Sequence, residues 1–183
     1  TGGTPIRSGR PAAEPNEHPM LVHPDGLISD RFQRFNPLTL AIVKPLSTDV
    51  SKIDSGNAQG LDAAATTPDG KYIVGAAVPE GEKRTIRLVV QWKAESDRVH
   101  SGWQVTTSAD LKTVSVSADG RIVATATKEG RIVVMSTQGD RDREWSVPKT
   151  AKGQANPATE VAVSPDGTRV YAAHEAEKAV VVW

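Results

Sequence analysis

The chain has 183 residues, 38% of them hydrophobic and 24% charged, and its 22 basic and 22 acidic side chains give a formal net charge of zero. This composition is typical of a globular domain, and a neutral chain lacks the field that draws proteins to nucleic acid or anionic membranes. The absence of cysteine excludes disulfides and thiolate metal sites, and no apolar run or signal peptide predicts a membrane span. We therefore expect a soluble domain, and its compartment is not predicted.

The N-terminal third of the sequence has little regular patterning. Residues 1–19 combine prolines, glycines and charged residues with almost no apolar side chains, which predicts an extended arm because such a segment cannot offset the entropy of ordering. Residues 20–60 contain one turn signal, HPDG at 23–26, and one apolar run without alternation. We interpret them as a degenerate first repeat and a linker, with a loop over residues 54–60.

An Asp-Gly turn recurs four times along the chain. The four glycines, separated by 44, 50 and 47 residues, are Gly26, Gly70, Gly120 and Gly167. Alternating apolar runs flank the last three turns, which predicts pairs of half-buried antiparallel strands. A period of about 40 to 50 residues is typical of one four-stranded propeller blade.

The last three turns are predicted to be structural. Glycine adopts the positive φ of a tight turn at no steric cost, and aspartate accepts a hydrogen bond from the backbone two residues later. The predicted turn residues are Asp69, Gly70, Asp119, Gly120, Asp166 and Gly167.

The segment VAVSPDGTRVYAAHEAEKAVVVW, which ends the chain, and VSVSADGRIVATATKEGRIVVM before it resemble blades of the WD-repeat and YVTN-type β-propeller families. The resemblance covers residues 61–183, interpreted as three blades, with Trp92 and Trp183 where the family has its closing tryptophan and Met135 at that place in between. The Gly-His pair and the second-turn Asp of strict WD repeats are missing. The resemblance implies an all-β propeller of four-stranded antiparallel blades, in a partial or split ring.

Four units are few for this family, and the last one contains only three predicted strands. Three explanations remain open: a longer propeller, a second copy or second chain that completes the ring, or a compact ring closed by the arm near residues 4–8. In the first two, open sheet edges need a partner strand. We therefore expect other protein subunits or a second copy as partners.

The four tryptophans are predicted to have two different roles. Trp92 and Trp183 end β-branched strands and are expected to pack between blades. Trp103 and Trp145 begin the presumed outer strands and are expected to be partly exposed. Because aromatic and arginine side chains anchor protein contacts, Arg141, Arg143 and Trp145, together with Trp103, form the predicted protein interface.

No motif of a catalytic or metal site occurs in the sequence. His18 and His23 lie near Asp25 and Asp30, where they are interpreted as surface residues, with metal ligation as the alternative. His174 is interpreted as a turn residue satisfied by solvent or backbone, with a position facing the channel or the top surface as the alternative. Thr1 would be a nucleophile only if its amine were the mature N-terminus.

We therefore predict a non-catalytic scaffold without cofactor or metal. The inner strands read AAATT, VSVS and VAVS, which offer only hydroxyls and small side chains to a central channel. The alternative is a lactonase-like or metal-dependent propeller enzyme with its site in that channel. The resemblance to protein-binding propellers supports the scaffold by analogy.

Overall fold

The computed structural model describes residues 19–23, 26–29, 31–36, 38–39, 41–51, 53, 57–80, 85–107, 111, 113–137, 143–146, 156–174 and 178–183. These residues form β-strands and no helix, so the all-β prediction is confirmed. Accordingly, no helix of the described ranges is long and apolar enough to cross a membrane.

The strands form four antiparallel sheets in chain order. Sheet one consists of β1 (Pro19–His23), β2 (Gly26–Ser29) and β3 (Arg34–Phe35). Sheet two consists of β4 (Ala58–Thr66), β5 (Tyr72–Pro79), β6 (Ile86–Lys93) and β7 (Arg98–Thr106). Sheet three consists of β8 (Val114–Val116), β9 (Ile122–Ala126), β10 (Arg131–Ser136) and β11 (Arg143–Ser146). Sheet four consists of β12 (Glu160–Val163), β13 (Val170–His174) and β14 (Ala179–Val182).

Sheet one is more regular than the sequence predicted. Beyond its three strands, Phe35 forms a bridge with Ile42, and the Val43 N–H donates to the Arg34 carbonyl at 2.8 Å. These contacts add a short fourth segment to the sheet. The loop predicted over residues 54–60 is wrong for its last three residues, because β4 begins at Ala58 and pairs with β5.

Three apolar cores lie between successive sheets. Adjacent residues of one strand serve different cores, because side chains alternate between the two faces of a sheet. Val90 contributes to the core shared with sheet one, whereas Val89 contributes to the core shared with sheet three. In sheet three, Val133 and Ile132 divide in the same way. Sheets two and three are therefore buried on both faces.

The first strands of the sheets are neighbours in space. β1 contacts β4, β4 contacts β8, and β8 contacts β12. This arrangement places the sheets side by side around a common axis, with the last strand of each sheet outermost. Between the described parts of sheets four and one there is no contact of comparable extent, so the ring is open.

Candidate protein-binding surface

Each of the three predicted turns contains the same pattern of hydrogen bonds. In sheet three, the Ser117 hydroxyl donates to the Asp119 carboxylate at 2.7 Å and accepts from the Ile122 N–H at 3.0 Å. The same carboxylate accepts the Arg121 N–H at 3.0 Å. Thr67 with Asp69 and Ser164 with Asp166 repeat this arrangement.

These hydrogen bonds stabilise the charged form of the turn carboxylates. The backbone N–H of Lys71 and then its side chain lower the pKa of Asp69 to about 2. The Ser164 hydroxyl and then the Thr168 N–H lower the pKa of Asp166 to about 2. Burial raises the pKa of Asp119, but the hydrogen bonds from Ser117 and Arg121 outweigh it, and the net shift is downward.

The turns also join neighbouring sheets along one rim. Gln91 of sheet two, fully buried, donates through Nε2 to the Gly120 carbonyl at 2.7 Å. The Ala118 N–H of sheet three donates to the Pro165 carbonyl at 3.0 Å. Gly70, Gly120 and Gly167 have φ of 68°, 75° and 71°, as the sequence predicted for turn glycines. The Asp-Gly sequence therefore has a structural role in each of these turns.

Hydroxyls of the inner strands bind the next sheet. The Thr113 hydroxyl accepts the Val161 N–H at 3.1 Å and donates to the Glu160 carboxylate at 3.1 Å. The Ser115 hydroxyl accepts the Val163 N–H at 3.0 Å. Ser115 belongs to the VSVS segment that the sequence offered to a channel site, and Thr113 directly precedes it. In the structure both hydroxyls join sheets three and four.

The histidines with described side chains do not form a catalytic or metal cluster. His174 ends β13 and is buried, and its Nδ1 lies 3.1 Å from the Asn156 carbonyl, so its ring contacts a backbone group and is not exposed to solvent. His100 packs 5.4 Å from the Tyr72 ring, and burial, followed by the charge of Lys93, lowers its pKa. Within the described ranges, no group of three or more His, Asp or Glu side chains is arranged to hold a metal ion. Thr1, His18, Asp25 and Asp30 lie outside the described residues.

Trp103 and Trp145 occupy the same position in their sheets. Trp103 pairs with Val89 across β6 and β7, and Trp145 pairs with Ile132 across β10 and β11. Both rings are half-buried and pack against the core shared with the next sheet. They therefore contribute to inter-sheet packing, and their contact with a partner stays a prediction.

The closing tryptophans differ in their surroundings. Trp92 is fully buried and donates its indole N–H to the Ser47 carbonyl at 2.9 Å. Trp183 is half-buried and stacks on Trp145, with ring centroids 5.9 Å apart and planes 20° from parallel. Only one of the two predicted closing tryptophans is therefore a fully buried core residue.

A cavity of about 810 Å³ opens beside the stacked rings, between the outer parts of sheets three and four. Its walls include Arg143, Trp145, Trp183, Met135 and Thr168. Two predicted interface residues, Arg143 and Trp145, thus lie together in one groove, whereas Trp103 lines a separate cavity and Arg141 lies outside the described residues. We call the cavity with the stacked rings the aromatic groove.

A second surface, which sequence reasoning missed, is the uncovered side of sheet four. Direct pairing places Ala162, Tyr171 and Val182 on one face, together with Glu160, Ala173 and Val180. The opposite face, with Val161, Val170 and Ala172, packs on sheet three. Val180 is 62% exposed and Val182 is 51% exposed. We call this side of sheet four the open face.

Comparison of equivalent positions in the repeats shows that Val180 is exposed where the other sheets have a buried residue. Ala76, Ala126 and Ala173 each lie seven residues after a turn aspartate and pair with Val89, Ile132 and Val180, respectively. Val89 and Ile132 are 0% exposed because the following sheet covers them. Aligning the repeats from their Asp-Gly turns provides the sequence signal that identifies Val180 as the third member of this set.

No protein-family model matches the sequence, and no curated protein sequence matches it. The fold is similar to solved structures. The structure of the Dos1 propeller aligns with a TM-score of 0.62 and 13% identity, over 86% of this chain and 39% of that chain. The hydrazine synthase of Kuenenia stuttgartiensis aligns with a TM-score of 0.62 and 16% identity, over 88% of this chain and 50% of that chain.

This chain therefore spans half or less of the length of both structures. At such low identity the likeness concerns the fold alone. Together with four antiparallel sheets around a common axis, it establishes that the chain has a β-propeller fold in an open ring.

Proposed function

We propose that this chain is a non-catalytic β-propeller scaffold that binds other proteins as a subunit of a larger assembly. The observation that carries the proposal is the exposure of Val180 on the open face. The equivalent residues of sheets two and three, Val89 and Ile132, are buried. Two neighbouring valines exposed on one face, where the equivalent residues of other sheets are covered, are consistent with a site of protein contact.

The open face has the chemistry of a surface between propeller sheets. Val180 and Val182 are apolar, and Ala162 and Ala173 are small enough to admit a neighbouring sheet. Fully burying an exposed valine stabilises an interface by about 1.5 to 3 kcal/mol. Because Val180 and Val182 are already partly buried in the isolated chain, covering each of them is expected to contribute roughly half of that. The partner that fits is another protein that presents an apolar β-sheet face.

The aromatic groove supports the same function at the outer rim of sheets three and four. Arg143, Trp145 and Trp183 border it, and aromatic and arginine side chains dominate the energetics of protein contacts. We also propose that the repeats are divergent WD- or YVTN-type repeats, supported by the shared turn and by the closing position occupied by Trp92, Met135 and Trp183.

Site-specific crosslinking tests the scaffold function. A photoreactive residue at position 180 is expected to crosslink to a discrete partner protein in cells that produce this chain. The same residue at position 98, which is exposed on sheet two, provides the matched control and is expected not to do so. The crosslinked partner is then purified and titrated against the unmodified chain and against Val180→Lys.

Because a lysine there places a charge in an apolar contact, we expect at least tenfold weaker binding of that partner by Val180→Lys. Its melting temperature is expected to be unchanged, since Val180 is exposed in the isolated chain. Equal affinity of the two proteins, or crosslinks from position 98 alone, would contradict the scaffold function.

A further inference from the structure

The Asp-Gly turns of sheets two, three and four contain a chemically reactive sequence. In such a dipeptide the glycine amide nitrogen can attack the aspartate Cγ, because glycine has no side chain to hinder the approach. A C–N bond forms, a C–O bond of the protonated carboxyl group breaks, and the hydroxyl leaves as water with the amide proton. Water then opens the resulting succinimide ring at either carbonyl and gives aspartate or isoaspartate.

The backbone of these turns keeps the two reacting atoms apart. In sheet two the Gly70 N–H donates to the Thr67 carbonyl at 2.9 Å, which makes Asp69 the third residue of the turn. Asp69 does not have a positive φ, so the turn is type I rather than type II, and the ψ of Asp69 is about 0°. Ring closure requires the aspartate Cβ and the glycine nitrogen to be eclipsed about the Cα–C bond, and this ψ rotates them out of that alignment.

Hydrogen bonds of the same turn hold both reacting groups. The Thr67 carbonyl binds the Gly70 proton that the attack must remove. The Asp69 carboxylate accepts the Thr67 hydroxyl at 2.8 Å and the Lys71 N–H at 3.0 Å. Asp69 has a pKa of about 2 in the folded chain, so at neutral pH it lacks the proton with which its oxygen would leave as water.

The turns of sheets three and four repeat this arrangement. Their glycine N–H groups donate to the carbonyls of Ser117 and Ser164 at 3.0 and 2.9 Å, respectively. The hydroxyls of these serines donate to Asp119 and Asp166 at 2.7 and 2.6 Å, and neither aspartate has a positive φ. In all three turns the same hydroxyl also accepts a backbone N–H from beyond the glycine.

We propose that the three Asp-Gly turns are sites of isoaspartate formation that the hydroxyl two residues before each aspartate holds closed. The hydroxyl residues are Thr67, Ser117 and Ser164. Succinimide formation then requires local opening of one turn and not unfolding of the chain. Losing one hydrogen bond of ordinary net strength raises the population of an opened turn about tenfold.

Modification of a turn would also disturb the packing between sheets. Isoaspartate carries the main chain through the aspartate side chain, which adds one carbon atom to the backbone and leaves the carboxylate on Cα. In sheet three the Gly120 carbonyl accepts the Gln91 Nε2 of sheet two at 2.7 Å. The Ala118 N–H donates to the Pro165 carbonyl of sheet four at 3.0 Å. Isoaspartate at Asp119 would therefore displace contacts to two neighbouring sheets.

An isosteric substitution tests the hydroxyl in sheet two. Thr67→Val keeps the shape of a fully buried side chain and removes its hydrogen bonds, whereas Thr67→Ser keeps the hydroxyl and is the matched control. The full chain is incubated at neutral pH and physiological temperature. Isoaspartate is quantified by enzymatic methylation and located by mass spectrometry of proteolytic fragments. We expect Thr67→Val to form isoaspartate at Asp69 about tenfold faster than the unmodified chain, and Thr67→Ser to keep the unmodified rate.

The other two turns of the same molecule separate local opening from a general loss of stability. In Thr67→Val, isoaspartate formation at Asp119 and Asp166 is expected to keep its rate. Equal rates at Asp69 in Thr67→Val and in the unmodified chain would overturn the proposal. Acceleration at all three sites, in a variant that circular dichroism shows to be folded, would also overturn it, because the reaction would then proceed from the unfolded chain.

A second variant makes the test independent of the folding of Thr67→Val. Ser164 is half-buried, so Ser164→Ala is expected to fold and to accelerate isoaspartate formation at Asp166 alone. A synthetic peptide of residues 63–73 gives the rate of the same sequence without the turn, and this rate is expected to exceed that of Asp69 in the chain. Equal rates in the peptide and the folded chain would mean that the turn gives no protection, and the proposal would be wrong.

Discussion

Trp92 and Trp183 hold the same position in sheets two and four, but their surroundings are very different. Sheet one and the segment around Leu46 and Val50 cover Trp92 completely, and Phe32 meets its ring edge-on at 5.8 Å. Trp183 stacks on Trp145 beside an open groove. The residue type and the local turn are shared, so the difference in burial comes from the elements outside each sheet.

The largest expected effect compares these two tryptophans directly. Trp92→Ala is expected to lower the free energy of unfolding by about 3 to 5 kcal/mol, because it empties a fully buried site. Trp183→Ala is expected to cost less than half of that, because its ring is half-buried. Chemical denaturation followed by circular dichroism measures both, and equal losses would refute the comparison.

The turn glycines provide a second test, in which the backbone cost is held constant. Gly120→Ala and Gly130→Ala both place a side chain at positive φ, at a cost of about 1 to 2 kcal/mol. A Cβ at Gly120 would also lie 2.6 Å from the Tyr72 ring of sheet two, whereas at Gly130 the nearest atom is 3.5 Å away.

We expect Gly120→Ala to lose about 1 to 3 kcal/mol more stability than Gly130→Ala, because overpacking adds to the backbone cost. Thermal unfolding of the two variants measures this difference. Similar losses would mean that the contact between Gly120 and Tyr72 can relax at little cost in free energy. The apolar core would then be the main contact that stabilises the packing of sheets two and three.

The hydroxyl contacts between sheets three and four test whether sheet four, which has one uncovered face, opens more easily than sheet two. Ser115→Ala removes the acceptor of the Val163 N–H and is expected to cost about 1 kcal/mol. Amide exchange at Val163 is expected to accelerate, while exchange at Val74 in sheet two is expected to stay unchanged. Acceleration at both sites would show that sheet four does not open independently.

Acid is expected to have the smallest effect on stability, and the effect is expected to be the same for the turns of sheets two and four. The turn carboxylates Asp69 and Asp166 have a pKa of about 2 in the folded chain, below the ordinary value of 3.8. A lowered pKa in the folded state stabilises the fold above the unfolded value, and this stabilisation is lost as the pH falls through about 2.

The stability difference between the unmodified chain and Asp69→Asn is therefore expected to shrink between pH 4 and pH 2, and Asp166→Asn is expected to behave in the same way. Denaturation across this pH range measures both differences. A difference that shrinks for only one variant would show that the two turns are not equivalent.

The fold of sheets two to four could be predicted from the sequence because residue types dictate the backbone at their turns. Gly70, Gly120 and Gly167 adopt positive φ, and a Ser or Thr two residues before each aspartate completes the network. In sheet one the alternation is lost, because β3 has only two residues and its neighbour is held by backbone hydrogen bonds at Ala41 and Val43. Backbone hydrogen bonds of this kind do not require particular side chains, so the sequence does not reveal them.

The candidate surface could be predicted only in part. The residue types Arg143 and Trp145 identified one wall of the groove, because arginine and tryptophan are typical of protein contacts. Neither the stacking of Trp183 on Trp145 nor the exposure of Val180 follows from residue type. Both depend on which sheets are neighbours, and His174 shows the same dependence, since it is buried at the position of Thr127 in sheet three.

The hydroxyls of Thr113 and Ser115 have a consequence for how this protein would aggregate if it were destabilised. Free strand edges template the growth of fibres, and the amides of Val161 and Val163 would be such an edge on the axial side of β12. Because hydroxyls of the preceding sheet cap both amides, this edge is closed to strand addition in the folded chain. Loss of either hydroxyl would therefore expose a backbone donor that can start the growth of fibres.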